Sequence, residues 1–191
     1  MAEFHENWYS GEQLSILSNL LPRVKHLEGL SIEIGCWEGR SAQVIANKIY
    51  PDTLTCNDTW MGNLEESKVT GTINISETIA KERDVFAVFK KNMDVLTKGN
   101  YTVVRQDCLE WLKTLDTPVK FCHIDACHDY KSVYDTIQLL LPHVVKGGIL
   151  CGDDYCSAGI HRTDLQGGVE RAVTETLPTA KVMGNLWYWV N

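Results

Sequence analysis

Residues 30–51 read LSIEIGCWEGRSAQVIANKIYP, and this stretch decides the fold. Residues 30–34 are a short apolar run broken only by Ser31 and Glu33 and closed by Gly35. Gly39 follows. Val44, Ile45 and Ile49 then recur at helical spacing until Pro51, which lacks the N–H needed to continue a helix. Strand, glycine-marked turn and helix in that order open a strand–helix–strand unit. Gly35 and Gly39 let the backbone turn tightly and approach a ligand closely, although a glycine pair also serves an ordinary turn.

The same alternation continues in both directions. Upstream, residues 1–28 form an expected helical extension. Ser10 can cap a helix over residues 10–27 in which Leu14, Leu17, Leu20, Leu21 and Val24 recur. Downstream, residues 53–56 read as a second strand ending in Asn57-Asp58. Residues 61–77 are polar, carry Gly62 and Gly71, and read as a long loop of the lid type. A helix over 78–97 leads to a third strand at 101–104, which ends at Asp107. A short helix at 109–115 precedes a fourth strand, 119–124, ending at Asp125. A helix over 130–141 stops at Pro142, and Gly147-Gly148 turns into strand 149–152, ending at Asp153-Asp154. Residues 167–177 are helical, and 181–183 with 186–190, split by Gly184-Asn185, read as a terminal hairpin.

Near-continuous apolar strands alternating with helices predict one α/β domain over residues 1–191. It is doubly wound, with a mostly parallel seven-stranded sheet, an antiparallel C-terminal hairpin and helices on both faces. Ligands bind beyond the carboxyl ends of such strands. Gly35, Asp58, Asp107, Asp125 and Asp153-Asp154 each fall just after a predicted strand, so five strands deliver glycine or acid to one edge.

Composition narrows the classes. Hydrophobic residues at 44% and charged residues at 23% exclude a mostly disordered chain. No run of 18 apolar residues is present, so no membrane-spanning helix is expected. MAEFHENWYSGEQ lacks a basic stretch followed by an apolar run, so no signal peptide is expected. Lys plus Arg number 18 and Asp plus Glu 25, a net charge of −7. That acidity argues against nucleic acid or an anionic membrane as the main ligand. The seven cysteines are odd in number and form no CxxC. With Cys56, Cys122 and Cys151 inside apolar runs, they read as reduced core thiols and a cytoplasmic setting. A homodimer, or a place as one domain of a larger protein, stays open.

The site residues follow from the strand ends. Glu33, two before Gly35, suits a cationic ligand such as the amino group of a zwitterion, and the spacing is not the GxGxxG of a pyrophosphate site. Asp58 lies 23 residues after Gly35, where a carboxylate can accept both ribose hydroxyls or serve as a loop acid. Asp107 can accept from an adenine amino group or cap the helix beginning at Cys108. Asp125, Asp153 and Asp154 end strands about 4.8 Å apart and repel one another unless protonated or given a cation. Hard oxygen donors of this kind fit Mg²⁺ or Mn²⁺. His128, in the next loop, is a candidate general base or a helix cap, and Asp125 can itself take the proton. Zinc at Cys122, His123, Cys127, His128, Cys151 and Cys156 fits poorly, since adjacent strand residues point to opposite faces.

ExGxxxGxS over Glu33, Gly35, Gly39 and Ser41, acids after the second and third strands, and Gly-Gly before the fifth resemble class I S-adenosylmethionine (SAM)-dependent methyltransferases over roughly residues 28–191. More narrowly, HIDACHDYKSVYDTIQLLLPHVVKGGILCGDDY (123–155) resembles metal-dependent sugar O-methyltransferases of the macrocin and mycinamicin type, and glycan methyltransferases of bacteria and large DNA viruses. The resemblance implies a Rossmann-like fold and cytoplasmic work, in the host cytoplasm for a viral protein. It implies that Glu33, Gly35, Cys36, Gly39 and Ser41 line the methionine part of SAM, that Asp58 takes the ribose, and that Asp107 with the Cys108 backbone faces the adenine. Trp60 either stacks near the ribose or adenine or belongs to the core or a lid hinge. Asp125 touches both cofactor and metal, and Asp125, Asp153 and Asp154 are the metal ligands. His161, Arg162 and Tyr155 are candidate substrate contacts. Cys36 and the bulky Trp37 depart from the usual pattern after the first glycine. The implied acceptor is a sugar hydroxyl, a deoxysugar such as rhamnose, with a catechol-like metabolite as the alternative. A dinucleotide-dependent oxidoreductase lacks its GxGxxG and YxxxK here, and a non-catalytic SAM-binding module leaves three carboxylates without a task.

Overall fold

Runs of apolar and β-branched residues between turn signals become strands. The computed structural model describes residues 1–155 and 167–191. Its parallel strands are β1 (Leu30–Ile34), β2 (Leu54–Asn57), β3 (Tyr101–Val104), β4 (Val119–Ile124) and β5 (Val144–Gly152). The hairpin of β6 (Lys181–Met183) and β7 (Leu186–Val190) adds antiparallel strands beside β5. The sheet order is β3-β2-β1-β4-β5-β7-β6, the doubly wound seven-stranded arrangement expected from the sequence. The helices are α1 (Gly11–Leu20), α2 (Ala42–Ile49), α3 (Leu64–Thr70), α4 (Ile75–Glu82), α5 (Val85–Leu96), α6 (Cys108–Leu112), α7 (Tyr130–Leu140) and α8 (Gly168–Thr176). No helix among the described residues is long and apolar enough to cross a membrane.

Alternate residues of a buried strand serve opposite faces, and the two cores divide accordingly. Phe121, Ile149 and Cys151 pack with Leu17, Ile45, Ile49, Phe89 and Met93 beneath α1, α2 and α5. Cys122, Ile124 and Leu150 pack with Leu112, Ile137, Leu140, Val173 and Trp187 beneath α6, α7 and α8. The six cysteines among the described residues are free thiols.

Four local expectations need correction. Residues 61–77 are not a loop: Asn74 caps α4 by accepting from Ser76 N–H, and Gly71 ends α3 in the left-handed region. The helix expected over 78–97 breaks at Arg83-Asp84, because the Asp84 side chain accepts from Ala87 N–H and starts α5 afresh. The helix expected over 10–27 ends at Leu20 and tightens into a 3₁₀ turn, Leu21–Arg23, at Pro22. Gly147-Gly148 lies inside β5, where the register against β4 shifts, rather than before it.

Register builds the site. Ile34 pairs with Asn57 on β2 and with Ile124 on β4, and Ile124 pairs with Gly152 on β5. The next residue on each strand is therefore Gly35, Asp58, Asp125 or Asp153, side by side. The chain runs outward through β2 and β3, then returns to β4 on the other side of β1. That reversal leaves a crevice at these strand ends.

Candidate active site

The crevice is a cleft of about 480 Å³, within the range of small-molecule pockets. Gly35, Cys36, Ser41, Asp58, Asp107 and Cys108 line one part of it, and Asp125, His128, Asp153 and Asp154 the other.

At the first end, Gly35 has φ 86°, and a Cβ there would lie 1.9 Å from the Asp125 carbonyl oxygen. Only glycine lets β1 and β4 meet so closely. Trp37 also adopts a positive φ, 45°, which is strained for a bulky residue. Its N–H donates to Asp58 Oδ2 at 2.8 Å, its indole N–H to Glu6 Oε2 at 2.9 Å, and its carbonyl accepts from Trp60 Nε1 at 2.8 Å. Asp58 Oδ1 also accepts from Trp60 N–H, at 2.7 Å. Burial raises the Asp58 carboxyl above its ordinary value, opposed by these backbone donors. Asp107 is the N-cap of α6, and both capping bonds, from Leu109 and Glu110 N–H, go to Oδ1.

Three residues expected here stand elsewhere. Glu33 is fully buried and absent from the cleft lining. It faces its register partner His123, Oε1 to Nδ1 at 3.0 Å, while His123 Nε2 meets Tyr9 Oη at 2.8 Å. Burial would lower the His123 pKa, but the Glu33 hydrogen bond and charge outweigh it and raise it. Gly39, φ 85°, backs onto Phe89 and Met93 rather than the cleft. Trp60 is a core residue against Phe86 and Phe89, at centroid distances of 4.7 and 4.9 Å.

At the reacting end, ligand atoms of Asp125, His128 and Asp154 all lie within 4.8 Å of one another. Asp154 has φ 60°, a conformation aspartate tolerates better than most residues. Its Oδ2 is 2.8 Å from His128 Nε2. Asp153 is the departure from the expected triad: its Oδ2 accepts from Gln13 Nε2 of α1 at 2.5 Å, and its buried Oδ1 has no hydrogen-bond partner. Burial, and then the Asp153 carboxylate, push the Asp125 carboxyl well up. Burial by itself would lower the His128 pKa, and hydrogen bonds to Asp154 and Glu66 reverse that and raise it strongly. Asp125, held toward its neutral form, and Asp154 offer hard oxygen donors beside His128, and Asp153 adds an orphaned oxygen, a donor set of the chemistry that a divalent cation accepts.

Tyr155 points away from the cleft, its hydroxyl 3.2 Å from Thr174 Oγ1 on α8. His161, Arg162 and Cys156 lie outside the described residues. Among the described residues the zinc grouping does not assemble: His123 is engaged by Glu33 and Tyr9, and Cys122 and Cys151 lie in different cores.

Sequence reasoning missed Glu66, Gln13 and Tyr9. Glu66 is fully buried against His128. Nothing in its local sequence separates it from a solvated acid in the first turn of a helix. Gln13 carried a signal of another kind, completing a capping box with Ser10.

A family model described as "Methyltransferase domain" matches residues 32–155. Among solved structures the chain is similar to CalS11, a calicheamicin methyltransferase, at 16% identity and TM-score 0.72 over 95% of this chain and 80% of that one. A second, apo structure of CalS11 describes it as a TDP-rhamnose 3'-O-methyltransferase, at 15% identity and TM-score 0.59 over 95% and 80%. The O-methyltransferase NovP is 17% identical, TM-score 0.66, over 94% and 79%. Cofactor-bound Rv0187 from MTB is 16% identical, TM-score 0.68, over 98% and 83%. At these identities the likeness is one of fold. No curated protein matches the chain.

Proposed function

The chain belongs to the methyltransferase-domain family, and from that premise we propose that it methylates a hydroxyl of a sugar or glycan, using SAM as donor and Mg²⁺ or Mn²⁺ at the reacting end. The observation that carries this reading is the gathering of Asp125, His128 and Asp154 in the cleft that Gly35, Asp58 and Asp107 also line. Family membership removes the dinucleotide-dependent oxidoreductase. A deoxysugar such as rhamnose is the favoured acceptor, supported by the description of CalS11 and by the resemblance of residues 123–155 to sugar enzymes.

The cleft fits the cofactor in size and in sign, since its carboxylates suit a sulfonium cation. When bound, SAM supplies an electrophilic methyl group. Asp58 would hold the ribose: the N–H groups of Trp37, Trp60 and Cys36 leave room on a carboxylate with about four lone-pair sites. Asp107 can cap α6 through Oδ1 and still offer Oδ2 to the adenine. Asp125 and Asp154, with the orphaned oxygen of Asp153, are the donors that would hold the divalent cation. That cation supplies a Lewis acid that makes a sugar hydroxyl acidic enough to react near neutral pH. His128 would take the hydroxyl proton at Nε2 once Asp154, which pairs with that nitrogen and helps keep the ring protonated, is engaged by the cation instead. Alignment of the acceptor hydroxyl with the methyl group at these strand ends would supply much of the remaining acceleration.

Mass spectrometry of glycosides, catechols and carboxylates incubated with SAM and Mg²⁺ tests the acceptor. One added methyl on a glycoside is expected. A product from the catechols alone would move the acceptor class, and no product from any would favour a non-catalytic module. For the cofactor end, Asp58→Ala should weaken SAM binding. Losing a charge-assisted hydrogen bond costs about 1.5–3 kcal/mol, roughly 10- to 150-fold in affinity. Calorimetry on a variant shown by melting to be folded is the check, and an unchanged dissociation constant would remove the ribose assignment.

A further inference from the structure

We propose that Glu66 is the positioning residue of the reacting end: it grips His128 by the backbone and by ring Nδ1, and so aims Nε2 at the acceptor. The inference rests on the reading of His128 as the proton acceptor.

Glu66 lies in the first turn of α3 with its side chain fully buried, whereas its neighbour Glu65 is half exposed and pairs with Lys68. A buried carboxylate is costly unless donors surround it. Here they come from three separate segments. His128 N–H donates to Glu66 Oε1 at 2.7 Å, and His128 Nδ1 lies 2.7 Å from the same oxygen. Asn74, the N-cap of α4, donates to Oε2 at 2.5 Å. Asn63, the N-cap of α3, donates to Oε1 at 3.2 Å and also to the Ala126 carbonyl at 3.1 Å, which ties α3 to the loop after β4. Asn74 is itself fixed, its Oδ1 accepting from Ser76 N–H and Oγ.

Two attachments to one histidine do what one cannot. The backbone bond sets where the loop carries the residue, and the ring bond sets how the imidazole turns. A carboxylate at Nδ1 places a proton on that nitrogen. Nε2 is then the nitrogen on the cleft side, where it pairs with Asp154 Oδ2 at 2.8 Å and becomes open to another partner when Asp154 is engaged elsewhere. Residues 63–74 thus reach the reacting end through Glu66, Asn63 and Asn74.

Nitrogen-15 NMR of the wild-type protein, with His128 assigned against His128→Ala, should show Nδ1 protonated. A bare Nδ1 with the proton on Nε2 alone overturns the proposal. In steady-state kinetics with Mg²⁺, SAM and the glycoside acceptor, Glu66→Gln should lower kcat about 10- to 100-fold, the usual loss for an orienting partner. SAM affinity by calorimetry should be unchanged. In the His128→Ala background the same substitution should add no further loss, because its effect travels through that ring. A full additive loss would place Glu66's effect elsewhere and overturn the proposal. If Glu66→Gln fails to fold, the NMR readout decides. If His128→Ala alone leaves kcat intact, the base reading of the preceding subsection fails, and the NMR result still decides whether Glu66 holds the ring.

Discussion

Turnover should disappear in EDTA and return with Mg²⁺ or Mn²⁺, and Asp154→Asn should lower it at least about 10²-fold, the scale of losing one electrostatic stabiliser. The reason is local charge. Asp125, Asp153 and Asp154 sit together at the ends of neighbouring strands, burial and Asp153 raise the Asp125 carboxyl, and Asp153 Oδ1 is buried without a partner. Such a group calls for a cation. Asparagine is near-isosteric with aspartate and tolerates the left-handed backbone that Asp154 adopts at φ 60°, so the fold should survive. SAM affinity should survive too, because Asp58 and Gly35 lie at the ends of β2 and β1. Calorimetry with SAM beside turnover with and without chelator makes the separation. Full activity in EDTA would leave His128 as the sole base, and His128→Ala would then be the more damaging change.

Gly35→Ala should be the most destabilising conservative change in the sheet. The added Cβ would stand 1.9 Å from the Asp125 carbonyl oxygen and 2.4 Å from its carbon, both backbone atoms that no rotamer change can move. Strain at φ 86° costs about 1–3 kcal/mol and overpacking about another 1–3 kcal/mol, so the loss is about 2–6 kcal/mol. That is a large share of the ~5–15 kcal/mol typical of a domain. The relief open to the chain is to push Asp125 away, so SAM binding and metal binding should weaken along with stability. Gly71→Ala is the control. It also has positive φ, 68°, but meets nothing within 4 Å, and should lose only about 1 kcal/mol. Urea midpoints for the two variants decide it, and equal losses would show that crowding against Asp125 contributes nothing.

The sequence by itself determined the sheet and the edge that matters. Period-two and continuous apolar runs, glycine turns and the proline at 51 mark elements through local backbone preferences, and those preferences survive folding. The hairpin bounds at 181–183 and 186–190 were legible because Gly184-Asn185 can turn only a hairpin there. The strand-end positions of Gly35, Asp58, Asp125 and Asp153 followed as well, since a parallel sheet in register aligns whatever comes next.

What only the tertiary structure decided is where side chains spend their polar groups. Glu33 looked like a ligand-facing acid, but its register neighbour is His123, which spends Nδ1 on Glu33 and Nε2 on Tyr9 in the core. Asp153 looked like one of three equal carboxylates until α1 supplied Gln13. Glu66 falls in a stretch that reads as a polar loop, but α3 carries it inward, where Asn63 and Asn74 donate to its carboxylate and His128 meets it. The bonds of Glu33 to His123, Asp153 to Gln13 and Glu66 to His128 join residues 62 to 140 positions apart. No local preference carries information over that separation, because packing of whole elements brings the partners together.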